Sequence, residues 1–234
     1  MKNLFLFLTL FVLSVNVLAQ EKKQDTTKVE TLEEVLVRAV RVNATSPITH
    51  SNVTKEQLQK RNLGQDIPIL LNFLPSVVTT SDAGAGVGYT GIRVRGVSAQ
   101  STNITINGIP YNDAESLGTF WVNLGDFASS VESLQLQRGV GTSTNGSGAF
   151  GASINVLTDA ISDEASGEIS TAFGSYNTQK NTVKFSTGKL NDHIEIAGRL
   201  SQIKSDGYID RASSNLNHLS ILEWFGGFRQ IRKR

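Results

Sequence analysis

The chain has 234 residues, contains no cysteine and carries a formal net charge of +1. The absence of cysteine excludes disulfide frameworks, thiolate metal sites and a lipid-modified N-terminal cysteine. A nearly neutral charge gives no support for a nucleic-acid partner. Most of the 21 glycines lie between Gly84 and Gly151, which is typical of a protein built from strands and loops.

The N-terminus has the pattern of a Sec-type signal peptide over residues 1–19. Lys2 supplies a positive charge, residues 4–15 are almost wholly apolar, and Ala19 ends the predicted cleavage site. The apolar stretch is short for a membrane-spanning helix, which leaves an N-terminal anchor as the alternative. We therefore expect the protein to leave the cytoplasm, with Gln20 as its mature N-terminus.

A polar linker without periodicity follows over residues 20–46, and Pro47 predicts the start of a folded domain. Near its end, two acidic residues precede a short aliphatic run. Such a segment can add a strand to the sheet of a partner, or it can be an ordinary edge strand of the folded domain. The residues of this segment are Glu33, Glu34, Val35, Leu36 and Val37.

The segment from Lys55 to Leu74 has apolar residues at irregular helical spacing. Gly64 and Pro68 interrupt the pattern, because glycine weakens a helix and proline removes a backbone donor. The segment therefore predicts two short helices joined by a turn.

Alternating apolar and polar residues then predict a series of short strands, each with one buried face. In the first, Ile92 and Val94 share one face, and Arg93 and Arg95 share the other. The Asn107-Gly108 step predicts a type I′ hairpin, which needs positive φ at both central residues. The predicted strands cover residues 90–96, 104–111, 131–139 and 148–158.

Taken in this order, the segments of residues 47–158 resemble the plug domain of TonB-dependent outer-membrane receptors. The resemblance implies an α/β plug domain with a small mixed sheet. It also implies active import of a scarce ligand across an outer membrane, with the plug and the N-terminus facing the periplasm and TonB as the energy-transducing partner. The implied cargo is an iron chelate such as a siderophore, and cobalamin or a glycan stays open. The short linker, without an extra N-terminal domain, favours the iron chelate.

The resemblance also assigns roles to particular residues. The segment Glu33–Val37 resembles the TonB box, which would bind TonB by strand addition. Arg95 and Arg138 match the positions at which plug arginines pair with glutamates of the inner barrel wall and latch the plug. A guanidinium suits this role because it stays charged and binds a carboxylate in a fork geometry. A solvated arginine on a strand face is the alternative for each.

After Thr158 the alternation has the period of transmembrane β-strands, so residues 159–218 predict the first antiparallel strands of an incomplete transmembrane β-barrel. The alternating segments are 168–173, 181–187 and 193–203. In the last of them, three apolar residues oppose three polar ones: Ile194, Ile196 and Leu200 against Glu195, Arg199 and Ser201. Residues 219–234 lose this pattern and end in a basic cluster, which predicts an atypical tail.

A plugged barrel of this kind has about 22 strands, whereas the 234-residue chain leaves 234 − 158 = 76 residues after Thr158. We therefore expect a truncated receptor, because strands with unpaired edges are not tolerated in hydrocarbon. A complete secreted or periplasmic β-rich binding or adhesion module is the alternative from another class.

The sequence gives no support for catalysis or for a cofactor. The glycine run of residues 139–146 lacks the third glycine of GxGxxG, where Thr144 stands, and predicts no following helix. The three histidines are far apart and have no metal-ligand spacing, and no serine lies in a GxSxG turn. We therefore expect neither an enzyme nor a metal site. Three loop carboxylates are expected to be solvated: Asp82, Asp113 and Glu115.

Overall fold

The computed structural model describes residues 41–43, 45–146, 148–159, 162, 164–190 and 194–225. The predicted signal peptide and the predicted TonB-binding residues Glu33–Val37 lie outside the described residues. Within the described ranges, no helix has the length and hydropathy needed to cross a membrane.

Two short helices form near the start, as the interrupted spacing predicts. Helix α1 spans Lys55–Gln59, and Thr54 closes its N-terminus in a capping box with Gln57. Helix α2 spans Ile67–Leu70. Gly64 lies between them with a φ of +105°, which favours glycine. The prediction of two short helices is confirmed, but Pro68 does not break the helical pattern as predicted: it lies in the first turn of α2, where the missing N–H has no intrahelical partner.

A five-stranded mixed sheet organises the first part of the chain, in the order β1-β6-β7-β4-β5. Strands β4 and β7 are parallel, and the other neighbours are antiparallel. The predicted hairpin is confirmed, because Asn107 and Gly108 have φ angles of +52° and +81° between β4 and β5. The strands are β1 (His50–Thr54), β4 (Thr102–Ile106), β5 (Ile109–Pro110), β6 (Val131–Arg138) and β7 (Ala152–Thr158).

A second, two-stranded sheet pairs β2 (Val77–Ser81) with β3 (Thr90–Val94). The predicted face shared by Arg93 and Arg95 is wrong, because the strand ends at Val94. Arg95 and Gly96 both have positive φ, at +54° and +75°, so the chain turns there and Arg95 leaves the alternation.

One hydrophobic core lies between the mixed sheet, the β2–β3 pair and the two helices. Its fully buried members alternate with polar residues along the strands. On β6 and β7 these polar residues are buried as well, so the prediction of one buried face per strand is wrong for these two strands. Among the most completely buried are Leu71, Val94, Leu134, Leu136 and Ile154. We call residues 41–159, which contain this core, the α/β unit.

Four antiparallel strands follow as a meander in the order β11-β10-β9-β8. The described residues thus confirm the fold prediction of an α/β unit with a mixed sheet followed by antiparallel strands that do not close into a barrel. The strands are β8 (Ser166–Gly174), β9 (Thr178–Ser186), β10 (Ile194–Ser205) and β11 (Ser214–Phe225).

Strand β11 crosses the predicted boundary at residue 219 and pairs with β10 as far as Phe225. The segment predicted as an atypical tail therefore begins as a strand. Leu219 and Ile221 are both 61% exposed and continue the alternation of the strand, which the apolar run after Ile221 hides in the sequence.

Candidate functional site

The two faces of the meander differ in the way that the alternation predicts. The face that packs against the α/β unit is polar, and its buried residues include Lys180, Thr182, Glu195, Arg199 and Ser201. The opposite face is apolar and exposed. Its members include Ile169, Phe173, Val183, Leu200, Leu219 and Ile221. An apolar outer face and a polar inner face are the arrangement of transmembrane β-strands.

Asp126 is the centre of the contact between the α/β unit and the meander. It is fully buried and lies between two short 3-10 turns with a left-handed φ of +50°. Its Oδ1 is 2.8 Å from Lys180 Nζ of β9. Its Oδ2 accepts a hydrogen bond of 3.0 Å from Thr182 Oγ1, also on β9. One carboxylate of the α/β unit thus binds two side chains of the same strand.

Arg199 of β10 completes this cluster. Its Nη1 donates to the Asp126 carbonyl and lies 3.9 Å from Asp126 Oδ2. The side chain is only 3% exposed, and its Nε and Nη2 have no hydrogen-bond partner among the described residues. Two buried cations therefore share the charge of one buried carboxylate, which makes Asp126 hard to replace.

The charge of Asp126 is stabilised in the folded state. Burial alone would raise the pKa of this carboxyl, but the charge and hydrogen bond of Lys180, with help from Ser129 and Arg199, lower the pKa below its usual value. Asp126 therefore stays ionised in mild acid.

Asp159 makes a second, more exposed contact at the point where the α/β unit leads into the meander. Its carboxylate accepts from Lys55 Nζ at 2.7 Å and from Lys184 Nζ of β9 at 2.9 Å. Burial would raise the pKa of Asp159, but these two lysines lower it. We call the charged residues that join the α/β unit to the meander the seat: Asp126, Asp159, Lys180, Lys184 and Arg199.

The sequence did not predict the seat, and the charges of the seat are arranged in the opposite way to those of the predicted latch. In the seat, the α/β unit supplies the carboxylates and the strands supply the cations. The signal that could have found it is the placement of Lys180, Lys184 and Arg199 on the polar side of strands whose other side is apolar. Charges on such a face need partners from whatever covers it.

The structure brings Arg95 and Arg138 close to each other. A side-chain carbon added at Gly139 would lie 3.0 Å from Arg95 Nη1, so the exposed Arg95 extends over the Arg-Gly turn that contains Arg138. Arg138 is half-buried and donates to Ser51 Oγ at 2.8 Å and to the His50 carbonyl at 3.4 Å. Burial, and then the charge of Arg95, lower the pKa of Arg138. No carboxylate among the described residues pairs with either arginine.

Asp66 holds a glycine-rich loop, residues 82–89, at one end of the α/β unit. Its N–H donates to the Gly86 carbonyl, and its Oδ2 accepts from Thr90 Oγ1 at 2.8 Å. The residue is 2% exposed, and Oδ1 has no hydrogen-bond partner in the described part of the chain. Burial raises the pKa of Asp66 to about 7, despite the hydrogen bonds of Thr90 and Gly88.

The same loop touches the turn between β10 and β11, where aromatic side chains are exposed. A side-chain carbon added at Gly84 would lie 3.0 Å from Tyr208 Cβ. Tyr208 is 70% exposed and meets the ring of Tyr176, in the turn between β8 and β9, edge to face. The centroids of the two rings are 5.7 Å apart. This end therefore combines exposed aromatic rings with a close approach between the two parts of the molecule.

The remaining predicted polar residues form no joint site. Asp113 accepts from Ser116 N at 2.7 Å within its own loop, and Asp82 is exposed. Among the described ranges, no group of three or more histidine, aspartate or glutamate side chains is arranged to hold a metal ion.

Comparison with known proteins identifies the α/β unit. The family model of the TonB-dependent Receptor Plug Domain matches residues 42–153. The protein named Probable TonB-dependent siderophore receptor PirA, of Acinetobacter baumannii, is 27% identical in an alignment of 183 residues, and the match covers 68% of this chain and 24% of that protein. The Vitamin B12 transporter BtuB of Vibrio vulnificus is 29% identical over 77% of this chain and 29% of its own length.

Solved structures agree on the fold. The siderophore receptor PirA from Pseudomonas aeruginosa superposes with a TM-score of 0.54 at 22% identity, over 77% of this chain and 32% of that one. The chain thus spans about a quarter to three tenths of the length of the two curated relatives named above. Residues 42–153 thus match the plug domain of TonB-dependent receptors, and the chain has the fold of such a plug domain followed by the first antiparallel strands of a barrel.

Proposed function

We propose that the protein takes part in the energised uptake of an iron chelate across the outer membrane of a Gram-negative cell. The observation that carries this proposal is a plug domain seated on the polar face of strands whose other face is apolar and exposed. A folded domain held against the inner face of a barrel wall acts as a gate, since it has to move before a solute can pass.

TonB is the proposed partner that moves the plug, and residues Glu33–Val37 are its proposed binding segment. Val35, Leu36 and Val37 would pair their backbone with an edge of the TonB sheet, and the two glutamates would face basic residues. This requires the N-terminus and the plug to face the periplasm.

The choice of an iron chelate over cobalamin rests on the names of the relatives. The relatives include proteins named as siderophore and ferric enterobactin receptors, alongside one vitamin B12 transporter. The exposed rings of Tyr176 and Tyr208 provide flat apolar surfaces, which suit aromatic iron-chelating groups as well as a corrin ring. The names of the relatives therefore favour an iron chelate over cobalamin as the cargo.

Arg95 and Arg138 are proposed to bind a carboxylate of a barrel strand beyond those described. Two guanidinium groups on neighbouring Arg-Gly turns repel each other, and an anion between them removes that cost. Their lack of a carboxylate among the described residues supports this role.

Deletion of the gene in its native host tests the proposed function. Uptake of radiolabelled ferric chelates should fall, and the gene should restore it, whereas a gene carrying Val35→Pro should not, because proline removes a strand donor. Cobalamin uptake should be unchanged. A fall in cobalamin uptake alone would overturn the iron assignment, and unchanged uptake of both would overturn the transport proposal.

A further inference from the structure

A buried carboxyl group holds one side of the glycine-rich loop of residues 82–89, which we call the glycine loop. Asp66 is 2% exposed. Its N–H donates to the Gly86 carbonyl at 2.9 Å, and its Oδ2 accepts from Thr90 Oγ1 at 2.8 Å. The Gly88 N–H also donates to this carboxyl. One residue ahead of α2 thus holds the second half of the glycine loop and the residue that follows it.

The surroundings of this carboxyl favour its neutral form. Its Oδ1 has no hydrogen-bond partner in the described part of the chain. Residues 61–66, the glycine loop, β3 and the turn between β10 and β11 carry charged residues that are all exposed: Arg61, Asp82, Arg93, Asp206, Asp210 and Arg211. The pKa of Asp66 is raised by burial and lowered by the hydrogen bonds of Thr90 and Gly88. Because a buried carboxylate oxygen without a partner is costly, ionisation works against the packed position of the loop.

The other side of the glycine loop lies against residues 206–213, the β10–β11 turn. A side-chain carbon added at Gly207 would lie 3.0 Å from the Ala83 carbonyl oxygen, and one added at Gly84 would lie 3.3 Å from Ile209 Cγ1. Gly84 and Gly207 both have positive φ, at +68° and +75°, and their lack of a side chain lets the two backbones approach this closely. The glycine loop therefore lies between Asp66 and the turn, and a shift of the loop away from Asp66 changes its contact with the turn.

We propose that Asp66 is a proton-sensitive switch that controls the contact between the glycine loop and the β10–β11 turn. The protonated carboxyl is neutral and stays buried, and the loop stays against the turn. When the proton passes to solvent, Oδ1 needs a water molecule as its partner, which reaches it when the loop moves away. The loop and the turn belong to the end of the molecule that carries the exposed rings of Tyr176 and Tyr208, so proton loss changes that end. This inference goes beyond the proposed function, because it needs neither a particular cargo nor TonB.

Hydrogen exchange of the full chain in detergent micelles, corrected for the intrinsic exchange rates, tests this proposal. Protection of the glycine loop should fall by about 30-fold from about pH 5.5 to about pH 8.5, because opening releases a proton until the pH passes the pKa of about 7. The Ala212 amide, which donates to the Ile209 carbonyl within the turn, should lose protection in parallel. The Leu117 amide, which donates to the Asp113 carbonyl in another loop, should keep its protection.

Three variants identify the group that is responsible. Asp66→Asn keeps the shape of the side chain and cannot ionise, so the fall in protection should disappear. Asp82→Asn is the matched control, since it makes the same change at an exposed position of the same loop, and it should behave as the wild type. Thr90→Val removes a donor that stabilises the ionised carboxylate, so the pH at which protection levels off should rise. A purely structural role of Thr90 would lower protection equally at every pH and leave this value unchanged.

Several outcomes would overturn the proposal. Equal protection of the wild-type glycine loop at the two pH values would show that no proton controls it. A fall that persists in Asp66→Asn would assign the pH dependence to another group. Loss of protection in the loop while Ala212 keeps its protection would show that the loop moves without changing its contact with the turn. Each of these results leaves the uptake of ferric chelates untouched, so the proposed function stands or falls by its own experiment.

Discussion

Two sets of cation contacts differ in their chemistry: one joins the plug to the strands that follow it, and the other lies inside the plug. On the strand side, the seat pairs lysines and an arginine with the carboxylates of Asp126 and Asp159. Inside the plug, Arg41 donates to Ser133 and to the Asn155 carbonyl, and Arg138 donates to Ser51 Oγ and to the His50 carbonyl. All of these acceptors are neutral oxygens, and no carboxylate among the described residues pairs with either arginine. Both sides use buried or half-buried cations, and they differ in whether an anion meets them.

This difference decides which contact opens first. Removing a buried cation from its carboxylate leaves two uncompensated charges, which costs several kcal/mol. Removing an arginine from carbonyl and hydroxyl groups returns a cation to water, which recovers much of the cost. A pull on the N-terminus should therefore release the arginine contacts while the seat holds the plug against the strands.

Substitution of Asp126 should have the largest effect on stability. Asp126→Asn should lower the free energy of unfolding by about 3–5 kcal/mol, because Lys180 and Arg199 become buried charges without a partner. Asparagine tolerates the left-handed φ of +50° at this position, so backbone strain does not contribute. The measurement is urea unfolding in detergent micelles, followed by the fluorescence of the buried Trp121.

Asp82→Asn is the control for that substitution, since it makes the same change at an exposed loop position. Its effect should stay within about 0.5 kcal/mol. A loss below about 1 kcal/mol for Asp126→Asn would show that the ion pairs of the seat do not hold the plug, and the contrast between the two sides would disappear.

Most strands of both parts could be predicted from alternation, because a strand with one buried face has a period of two. Strands β1 and β2 were not predicted, because their sequences HSNVT and VVTTS contain too few apolar residues to show an alternation. Asn107-Gly108 fixed its hairpin for a local reason, the positive φ of both residues. The prediction for Arg95 was wrong for a local reason as well. The backbone turns at the Arg95-Gly96 pair and ends the strand, whereas the alternation in the sequence continues through this pair.

The seat could not be predicted in the same way. Asp126 and Lys180 are 54 positions apart, and in the sequence each is an ordinary charged residue of a loop or a strand. Only the packing of the plug on β9 brings them to 2.8 Å. The alternation does tell that Lys184 and Arg199 face inward, but their partners depend on long-range packing.

The pH dependence of stability should separate the seat from the rest of the plug. Asp126 and Asp159 have lowered pKa values, so their contribution is present above about pH 4 and is lost only as the pH falls further. Asp66 has a pKa raised to about 7. The folded state therefore binds its proton more tightly, and stability should fall as the pH rises from about 4 to 7.

Asp66→Asn should remove the fall in stability between about pH 4 and pH 7 that is due to Asp66. At pH 8 it should raise the free energy of unfolding by about 2 kcal/mol, since about 4 kcal/mol of buried charge is removed and a buried amide N–H costs about 1–3. At pH 5 the change should be near zero or a small loss. Unfolding curves at pH 5 and pH 8 give the comparison, and an equal slope in both proteins would mean that Asp66 is charged and solvated.

The smallest effect is expected at the arginines of the predicted latch. It tests the contacts of arginine with neutral oxygens. Arg138→Ala should lower the free energy of unfolding by about 1 kcal/mol, because it removes two hydrogen bonds to neutral acceptors at the start of β1. Arg95→Ala should change it by less than about 0.5 kcal/mol, because this side chain is exposed and has no carboxylate partner among the described residues. Urea unfolding of the two single variants measures both values. A loss of 3 kcal/mol or more for Arg138→Ala would place it with the seat, since neutral acceptors do not stabilise a cation that strongly.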